Sequence, residues 1–477
     1  MSIKDTVRPV LPPTSRAMVN LAEDLASRID TVSSDLSDST HRISAKIEDV
    51  SGLVEHSADD LRKELIDNAN RNGARTLDMA RQYTMLEKQL RYCNLEYSSK
   101  LADSPSDILI AGYYGAENYG DELMLDTILQ AVPENQLHRI AVLLWDNFSY
   151  PQDAIDARIT KLHYPNSTWD LEYLARHFST LVWGGGAIID DNQYTDDPLN
   201  INTGNLFIRL SSQMLALNKK VYCLGLSANA EINSSTYTKM LDKVASEASI
   251  FSLRDPHSLE TLRSAGVDVN SIELCHDLAF SNIELEALSK THSEHSGNLR
   301  VGLVFLSAEE YEEKYTCVIK KTVETLKNID ADYELVLIPF YNENNYDSRN
   351  LAKLADNAQH RSHVSVAPYP RDPAGFEFDS LDLLISYKYH SSLISLVQGT
   401  PTVIVYDSNH PHYINKMMYL ATLFGYEKSC LSASDFEARV AEVVCESLKN
   451  PIQPADMTEF LKEQQCWLAK SLATILS

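Results

Sequence analysis

Apolar residues divide the chain into a helical N-terminal region and a longer region of mixed pattern. Within residues 15–102 the apolar positions follow spacings close to three and four, at Leu25, Ile29, Val32, Leu36, Ile43, Val50, Val54, Leu61 and Leu65. This pattern predicts a coiled-coil-like helical region. A long helix cannot bury such a stripe alone, so we expect a homo-oligomer formed through these helices; a hairpin packed on the rest of the chain is the alternative. Residues 1–14, with three prolines, predict a flexible arm.

From residue 106 onward, short apolar runs alternate with amphipathic stretches. The runs predict buried strands at Ile108–Ala111, Ile140–Leu144, Leu181–Trp183, Val221–Leu224 and Ile250–Leu253. The stretches between them have the apolar spacing of helices. Alternating strands and helices are typical of a parallel sheet covered on both faces. Residues 106–288 therefore predict an N-terminal Rossmann-like domain.

The same alternation begins again after a polar segment. Residues 289–299 contain few apolar residues and predict a linker. Strands are then expected at Val301–Phe305, Tyr333–Ile338, Val364–Val366, Leu383–Ile385 and Thr402–Val405. Residues 300–430 predict a C-terminal Rossmann-like domain, and residues 431–477 predict helices that close the fold. The fold class is thus α/β with two domains, and the cleft between them is the usual place for a ligand.

Composition narrows the function. The chain has 42 Lys and Arg against 67 Asp and Glu, a formal net charge of −25, which argues against nucleic-acid binding. Seven scattered cysteines without a CxxC pair predict reduced thiols and no zinc site. The chain starts without an apolar leader and has no run near the ~20 apolar residues of a membrane span. We expect a cytoplasmic protein without a transmembrane segment, with peripheral contact at the inner face of the membrane left open.

A glycine-rich stretch lies between the first predicted strand and the following helix. Its candidate ligand-facing residues are Gly112, Tyr114, Gly115, Asn118, Gly120, Asp121 and Glu122. Glycine allows close approach to the backbone, and a helix N-terminus attracts anions. The spacing matches neither GxGxxG nor a Walker motif. A ligand-binding loop is the favoured interpretation, and a tight structural turn is the alternative.

A second glycine stretch, Gly184, Gly185 and Gly186, follows the predicted strand Leu181–Trp183. We expect these glycines at the same rim of the sheet as the first stretch, either binding ligand or forming a turn. Asp190 and Asp191 come next in the sequence. They are interpreted as a surface pair, with acid–base chemistry as the alternative.

Cationic residues follow two other predicted strands. Arg254 ends the strand Ile250–Leu253 and has the planar fork that suits phosphate or carboxylate, although a structural pair with Asp255 is the alternative. Lys388 and His390 follow the strand Leu383–Ile385, and Ser391 is placed to begin a helix. If the strand continued, Lys388 and His390 would share one side. A lysine, a histidine and a helix N-terminus predict an anion-binding, proton-transferring corner.

Taken in order, these stretches resemble the polysaccharide pyruvyl transferase family. The motifs that carry the resemblance are Gly112–Glu122, Trp183–Gly186, Ser252–Ser258, Lys388–Ser391, Gly399–Pro401 and Tyr406–Asp407. The resemblance covers roughly residues 106–430 and leaves the N-terminal helical region outside. It differs from the family pattern at Lys388, where arginine is usual, and at Ser391, where alanine is usual.

The resemblance implies two Rossmann-like domains in a GT-B-like arrangement. It implies transfer of the enolpyruvyl group of phosphoenolpyruvate to two hydroxyls of a sugar in a glycan or its precursor, giving a pyruvate ketal. Arg254, Lys388, His390 and Ser391 would bind phosphoenolpyruvate, and His390 would be the acid–base catalyst. The acceptor would lie near the two glycine stretches. Beyond phosphoenolpyruvate as donor, no cofactor or metal is expected.

Two other functions remain open from the sequence. A GT-B glycosyltransferase that uses a nucleotide sugar would need an acidic residue for the ribose, and Asp407 could serve. A coiled-coil scaffold with a degenerate transferase domain would need neither a cation cluster nor a proton carrier, so Arg254, Lys388 and His390 together argue against it.

Overall fold

A computed structural model describes most of the chain beyond residue 103. Two compact units are distinguished, 1–91 and 92–477, and the fold and site below belong to the second. The predicted flexible arm and nearly all of the predicted coiled coil lie outside the described residues, so self-association stays a prediction. The described residues are Asp24, Ser27, Arg28, Thr31, Tyr97, 100–102, 104–145, 158–165, 167–192, 194–195, 203–228, 231–282, 298–306, 312–330, 332–342, 346–357, 363–369, 378–409, 411–452 and 457–477.

Across these ranges, the first sheet has seven parallel strands in the order β3-β2-β1-β4-β5-β6-β7. The strands are β1 Ile108–Ala111, β2 Ile140–Leu144, β3 Thr160–His163, β4 Thr180–Ile189, β5 Lys220–Ala228, β6 Ile250–Leu253 and β7 Glu273–Leu274. The helices between them are α1 Tyr119–Ala131, α2 Thr168–His177, α3 Thr203–Ala216, α4 Ser235–Glu247 and α5 Pro256–Ser264.

A second parallel sheet of six strands follows among the described residues, in the order β10-β9-β8-β11-β12-β13. Its strands are β8 Leu299–Val304, β9 Tyr333–Leu337, β10 Val364–Val366, β11 Leu383–Ser386, β12 Thr402–Tyr406 and β13 Cys430–Ser432. Its helices are α6 Glu312–Ile329, α7 Tyr346–Asn357, α8 Tyr389–Val397, α9 Pro411–Phe424, α10 Ala433–Ala438 and α11 Val440–Lys449; α12 Thr458–Leu476 ends the chain. The predicted α/β class with two parallel sheets is confirmed.

Strand β4 differs from its prediction. It runs through the glycine triplet to Ile189, where the sequence predicted a strand that ended at Trp183. Gly185 and Gly186 have φ of 88° and 91°, and the pairing with β5 shifts register between Gly186 and Ile189. The interpretation as a turn directly after the strand was therefore wrong. The glycines form an irregular strand segment, which only residues without a Cβ adopt readily.

In both sheets the first three strands are added toward one edge and the later strands toward the other, so the strand order changes direction between the first and fourth strands. In such sheets the loops after those two strands diverge and leave a crevice at the carboxyl ends. In the first sheet the crevice lies between the ends of β1 and β4, and in the second between the ends of β8 and β11. The glycine stretches and the Lys388–Ser391 segment all lie at these positions.

The two sheets share apolar packing. Tyr119 and Phe280 from the first half are buried in one cluster with Val304, Phe340 and Leu393 from the second. Helix α12 then returns to the first half, where Leu468, Leu472 and Ile475 are buried against it. This cross-packing fixes the facing crevices relative to each other.

Candidate functional site

The loop after β1 is held by its own side chains. The Tyr114 hydroxyl donates a hydrogen bond to the carbonyl oxygen of Gly184 at 2.5 Å, which joins the two glycine stretches. The backbone N–H of Gly115 donates to Glu122 Oε1 at 2.8 Å. Burial raises the pKa of Glu122 well above its ordinary value. Tyr114 and Glu122 thus shape the loop, and any contact of either residue with an acceptor stays a prediction.

The far end of this loop contacts the second half of the molecule. The Tyr119 N–H donates to the carbonyl of Phe340 at 3.1 Å, and the Asn342 N–H donates to the carbonyl of Glu117 at 2.9 Å. Asn118 and Tyr341 form an antiparallel bridge between these bonds. The segment around Asn118 therefore links the two domains, a role that its sequence does not reveal.

The glycine positions make room for neighbouring side chains. A Cβ on Gly112 or Gly184 would overlap Tyr114, and a Cβ on Gly185 would lie 2.6 Å from Met124 Sδ. A Cβ on Gly186 would lie 3.2 Å from Asp121 Oδ1. The two glycine stretches meet at one rim, as the sequence predicted, and Asp121 lies between them.

The central feature of the site is a chain of contacts from Arg254 through Asp277 to His390. Arg254 Nη1 lies 2.6 Å from Asp277 Oδ2, and His390 Nε2 lies 3.3 Å from the same oxygen. Arg254 follows β6 in the first domain, and His390 belongs to α8 in the second. The alternative of a structural pair between Arg254 and Asp255 is wrong, because Arg254 pairs with Asp277, while Asp255 accepts a hydrogen bond from the Ser258 N–H at 2.7 Å and caps α5.

Asp277 is ionised in this arrangement. Burial raises its pKa, but the attraction of His390 and Arg254, with the hydrogen bond from His390, outweighs burial and holds the pKa well below the ordinary value. An ionised carboxylate only accepts hydrogen bonds, so His390 Nε2 carries the proton in this contact. The lone pair of a neutral ring then lies on Nδ1. Asp277 Oδ1 also accepts a hydrogen bond from the Ala279 N–H at 3.0 Å, so the same carboxylate caps the chain locally and orients His390.

Arg254 has spare binding capacity. It is only 3% exposed, and the Tyr389 ring centroid lies 5.0 Å from its Cζ. Within the described part of the chain, its Nε has no hydrogen-bond partner. A buried donor without an acceptor costs free energy, which an anionic ligand would recover.

Lys388 and Ser391 have partners inside the second domain. Lys388 Nζ lies 3.5 Å from Asp347 Oδ2 and 5.6 Å from the Tyr341 ring centroid. Strand β11 ends at Ser386, so the continuation that would have placed Lys388 and His390 on one side does not occur. The Ser391 hydroxyl lies 2.6 Å from that of Ser386 and is fully buried. A direct contact of either residue with phosphoenolpyruvate stays a prediction.

Two further charged groups complete the site. Asp121 is 8% exposed, and burial raises its pKa to about 6, against the attraction of His390 and Arg254. Lys416 on α9 is 6% exposed, and burial together with repulsion from Arg254 lowers its pKa to about 7. Sequence reasoning missed Lys416; the available signal was a lysine followed by the apolar residues Met417 and Met418.

The interpretation of Asp190 and Asp191 as a surface pair was wrong. Both are buried, at 6% and 9% exposure. Asp191 Oδ2 accepts hydrogen bonds from the N–H groups of Asn233 and Ser234, at 2.5 and 2.6 Å, just before α4. Asp190 Oδ1 accepts from the Asn192 N–H at 2.9 Å. The Asp191 carboxylate thus orders the chain where α4 begins.

The sequence was compared with models of known protein families. The model of the polysaccharide pyruvyl transferase family matches residues 118–409, more than half of the sequence. The chain belongs to this family. The matched region contains Asp121, Arg254, Asp277, Lys388 and His390, so it includes site residues from both domains.

Solved structures show more distant likenesses. Anabaena HepE in complex with UDP is 11% identical, with a TM-score of 0.43 over 78% of this chain and 97% of that chain. UDP-GlcNAc 2-epimerase from Methanocaldococcus jannaschii is 11% identical, with a TM-score of 0.47 over 77% and 99%. The same enzyme from Neisseria meningitidis bound to UDP-GlcNAc is 10% identical, with a TM-score of 0.46 over 77% and 99%. The fold described above rests on the strand order of this chain and not on these likenesses.

Three searches gave negative results. No curated protein sequence matched the chain. Among the described residues, no group of three or more His, Cys, Asp or Glu side chains is placed to hold a metal ion. The described helices also include none that is long and apolar enough to cross a membrane.

Proposed function

We propose that this pyruvyl transferase moves the enolpyruvyl group of phosphoenolpyruvate onto two hydroxyls of a sugar in a surface glycan or its precursor, forming a pyruvate ketal. The observation that carries the proposal is the contact chain Arg254–Asp277–His390 across the cleft. In this chain Arg254 is a buried cation whose Nε–H donor has no partner among the described residues, and His390 is oriented by the ionised Asp277 carboxylate. The donor of the proposed reaction carries two anionic groups, and its carbon skeleton must gain a proton.

The reaction divides into two additions. Protonation of C3 of phosphoenolpyruvate makes C2 electrophilic, and the first sugar hydroxyl forms a C–O bond to C2 while its proton passes to a base. The C2–O bond to phosphate then breaks, and phosphate leaves with the bonding electrons. The second hydroxyl closes the ring at C2, and its proton leaves with phosphate or solvent. The sum is phosphoenolpyruvate plus a diol giving a cyclic ketal plus inorganic phosphate.

The residues have matching roles. His390, with Nε2–H directed to Asp277, would exchange a proton with the substrates through Nδ1, at the place where the ring meets Gly120; proton exchange is the usual task of an oriented histidine. Arg254 would bind the phosphate or carboxylate through Nε, and Lys388 would add charge from the second domain. Asp121 and the glycine stretches would contact the acceptor. Burial of these groups excludes water and strengthens each electrostatic contact.

Other parts of the proposal rest on the sequence pattern and on the family resemblance. The two domains would form a GT-B-like arrangement around the substrates. The enzyme would act in the cytoplasm or at the inner face of the membrane, would need no cofactor beyond its donor, and would assemble through its N-terminal helices. Each of these is a separate expectation, and the proposed chemistry does not depend on where the enzyme acts or on whether it assembles.

The direct test offers phosphoenolpyruvate to the full-length protein with a panel of sugar acceptors. Released phosphate is measured, and the product mass is checked for the added group. Acceptor-dependent phosphate release with a ketal product is the expected result. Turnover of nucleotide sugars in place of phosphoenolpyruvate would contradict the proposal and favour the glycosyltransferase alternative.

A further inference from the structure

Lys416 is a buried cation at the cleft that the proposed chemistry does not yet use. Its side chain is held on α9, where the Tyr413 ring centroid lies 5.6 Å from Nζ. Only 6% of the residue is exposed. Lysine loses much side-chain entropy and hydration on burial, so a buried lysine normally has a carboxylate partner.

Within the described residues, Lys416 has no such partner. Arg254 contacts Asp277 and Lys388 contacts Asp347, each within 4 Å, whereas no ion pair or hydrogen bond of Lys416 is found. Arg254 repels Lys416 more strongly than any one of the nearby carboxylates Asp255, Asp121 and Asp277 attracts it. None of these carboxylates forms an ion pair with Lys416 among the described residues, so an anion bound at its ammonium group would stabilise the buried charge.

The position of Lys416 is fixed by contacts between the two domains. One residue before it, Asn415 Nδ2 lies 3.1 Å from His257 Nε2 on α5. Three residues after it, the Tyr419 hydroxyl lies 2.7 Å from His276 Nδ1, next to Asp277. Residues three and four apart share one face of a helix, so this face of α9 docks on the first domain. The docked face places Lys416 near the start of α5, the helix that follows Arg254.

We propose that Lys416 and Arg254 together form an anion site, in which one tetrahedral or planar anion is held between the Arg254 Nε and the Lys416 ammonium. The site accepts a phosphate or carboxylate group. That this anion belongs to phosphoenolpyruvate rests on the function proposed above; the existence of the site does not. Lys416 thereby supplies a cation that the family motifs do not contain, in a chain where lysine replaces the usual arginine at position 388.

The test measures sulfate binding to the full-length protein by calorimetry, because the charge of sulfate is constant across neutral pH. Lys416→Met should weaken sulfate binding about 10- to 100-fold, the usual loss for a charged hydrogen bond. Lys416→Arg should restore it. Lys353→Met on the exposed face of α7 is the matched control and should bind as the wild type does.

Raising the pH from 7 to 9 separates a binding role from a structural one. Lys416 loses its proton over this range, so wild-type binding should weaken, while Lys416→Arg should keep its affinity. Of the groups that face Lys416, Arg254 and Asp277 keep their charge, and Asp121 and Tyr413, with pKa about 6 and about 12, titrate outside most of this range; Asp255 is the remaining carboxylate near Lys416.

Stability gives a second readout. Without ligand, Lys416→Met should melt at the same temperature as the wild type or a few degrees higher, because an unpaired buried charge is removed. A lower melting temperature with unchanged sulfate binding would show a purely structural lysine and overturn the site. Absence of sulfate binding to the wild type at high millimolar concentration would also overturn it. Sulfate binding without phosphoenolpyruvate turnover would instead refute the proposed function and leave the anion site standing.

Discussion

The ring of His390 packs directly on the backbone of Gly120, across the boundary between the two domains. A Cβ added at Gly120 would overlap His390 Nδ1, Cγ and Cε1. Glycine is therefore required at this position by the histidine of the other domain, and not by its own backbone angles. The N-terminus of α1 is thus in direct contact with His390, the proposed proton carrier.

The first prediction concerns this contact. Gly120→Ala should displace the His390 ring and lower the rate of transfer at least about 10²-fold, because a misplaced catalytic group loses its alignment. Gly266→Ala is the control, since nothing lies within 4 Å of its added Cβ and only its positive φ is strained. Steady-state rates and melting temperatures of both variants decide the matter. Equal activity of Gly120→Ala and the wild type would refute a role for the packed ring.

The second prediction concerns Asp277, which serves both stability and catalysis. Asp277→Asn should lower the rate about 10²- to 10⁴-fold, because one amide oxygen cannot accept from Arg254, His390 and the Ala279 N–H together, and the amide NH2 would favour the wrong tautomer of His390. It should also cost about 3–5 kcal/mol of unfolding free energy, since Arg254 becomes a buried charge without a partner. Denaturant titration and rate measurements check the two effects separately. A variant with unchanged rate would mean that His390 acts without Asp277.

The third prediction concerns the pH dependence of stability at Asp121. Burial raises the pKa of this carboxyl to about 6, so between pH 4 and 6 the folded protein binds a proton that the unfolded chain has lost. Stability due to this group therefore falls as the pH rises to 6, by about 3 kcal/mol in total.

The variant Asp121→Asn lacks this loss. Its free energy of unfolding should exceed that of the wild type above pH 6 and approach it near pH 4. Its transfer rate should fall, because the carboxylate no longer interacts with His390. Denaturant melts at both pH values measure the difference. A variant less stable than the wild type at pH 7 would show that Asp121 makes favourable contacts in the free enzyme.

The fourth prediction concerns Lys388. Lys388→Arg should retain or improve phosphoenolpyruvate binding, because arginine keeps the charge and adds a second donor. Titration of the donor against wild type and variant measures the effect, and Lys388→Met shows what the charge itself contributes. Collapse of activity in Lys388→Arg would mean that the contact with Asp347 requires the shape of lysine.

Most of the strands that were predicted well are continuous apolar runs. Ile108–Ala111, Ile140–Leu144 and Ile250–Leu253 have the bounds that the pattern gives, and so does the short edge strand Val364–Val366 with its two valines. Strand β3 was missed because only Leu162 among its residues is fully buried, and β13 was missed because Leu431 is its single aliphatic residue. A strand with one aliphatic residue does not stand out in the apolar pattern of a sequence.

The site was partly accessible from the sequence. Arg254 and His390 follow strands that the pattern locates, and their chemistry marks them. Asp277 and Lys416 could not be assigned in the same way, since their role depends on contacts that span long distances along the chain, such as the 113 residues between Asp277 and His390. Asp191 was misjudged for the same reason, because its partners lie more than 40 residues away.

The measurement that tests the account most directly is phosphate release from phosphoenolpyruvate by the wild type and by His390→Ala, in the presence of an acceptor. The account predicts that the wild type releases phosphate with formation of a ketal and that the variant, folded and still able to bind the donor, is slower by about 10²- to 10⁴-fold. Full activity in His390→Ala would contradict it.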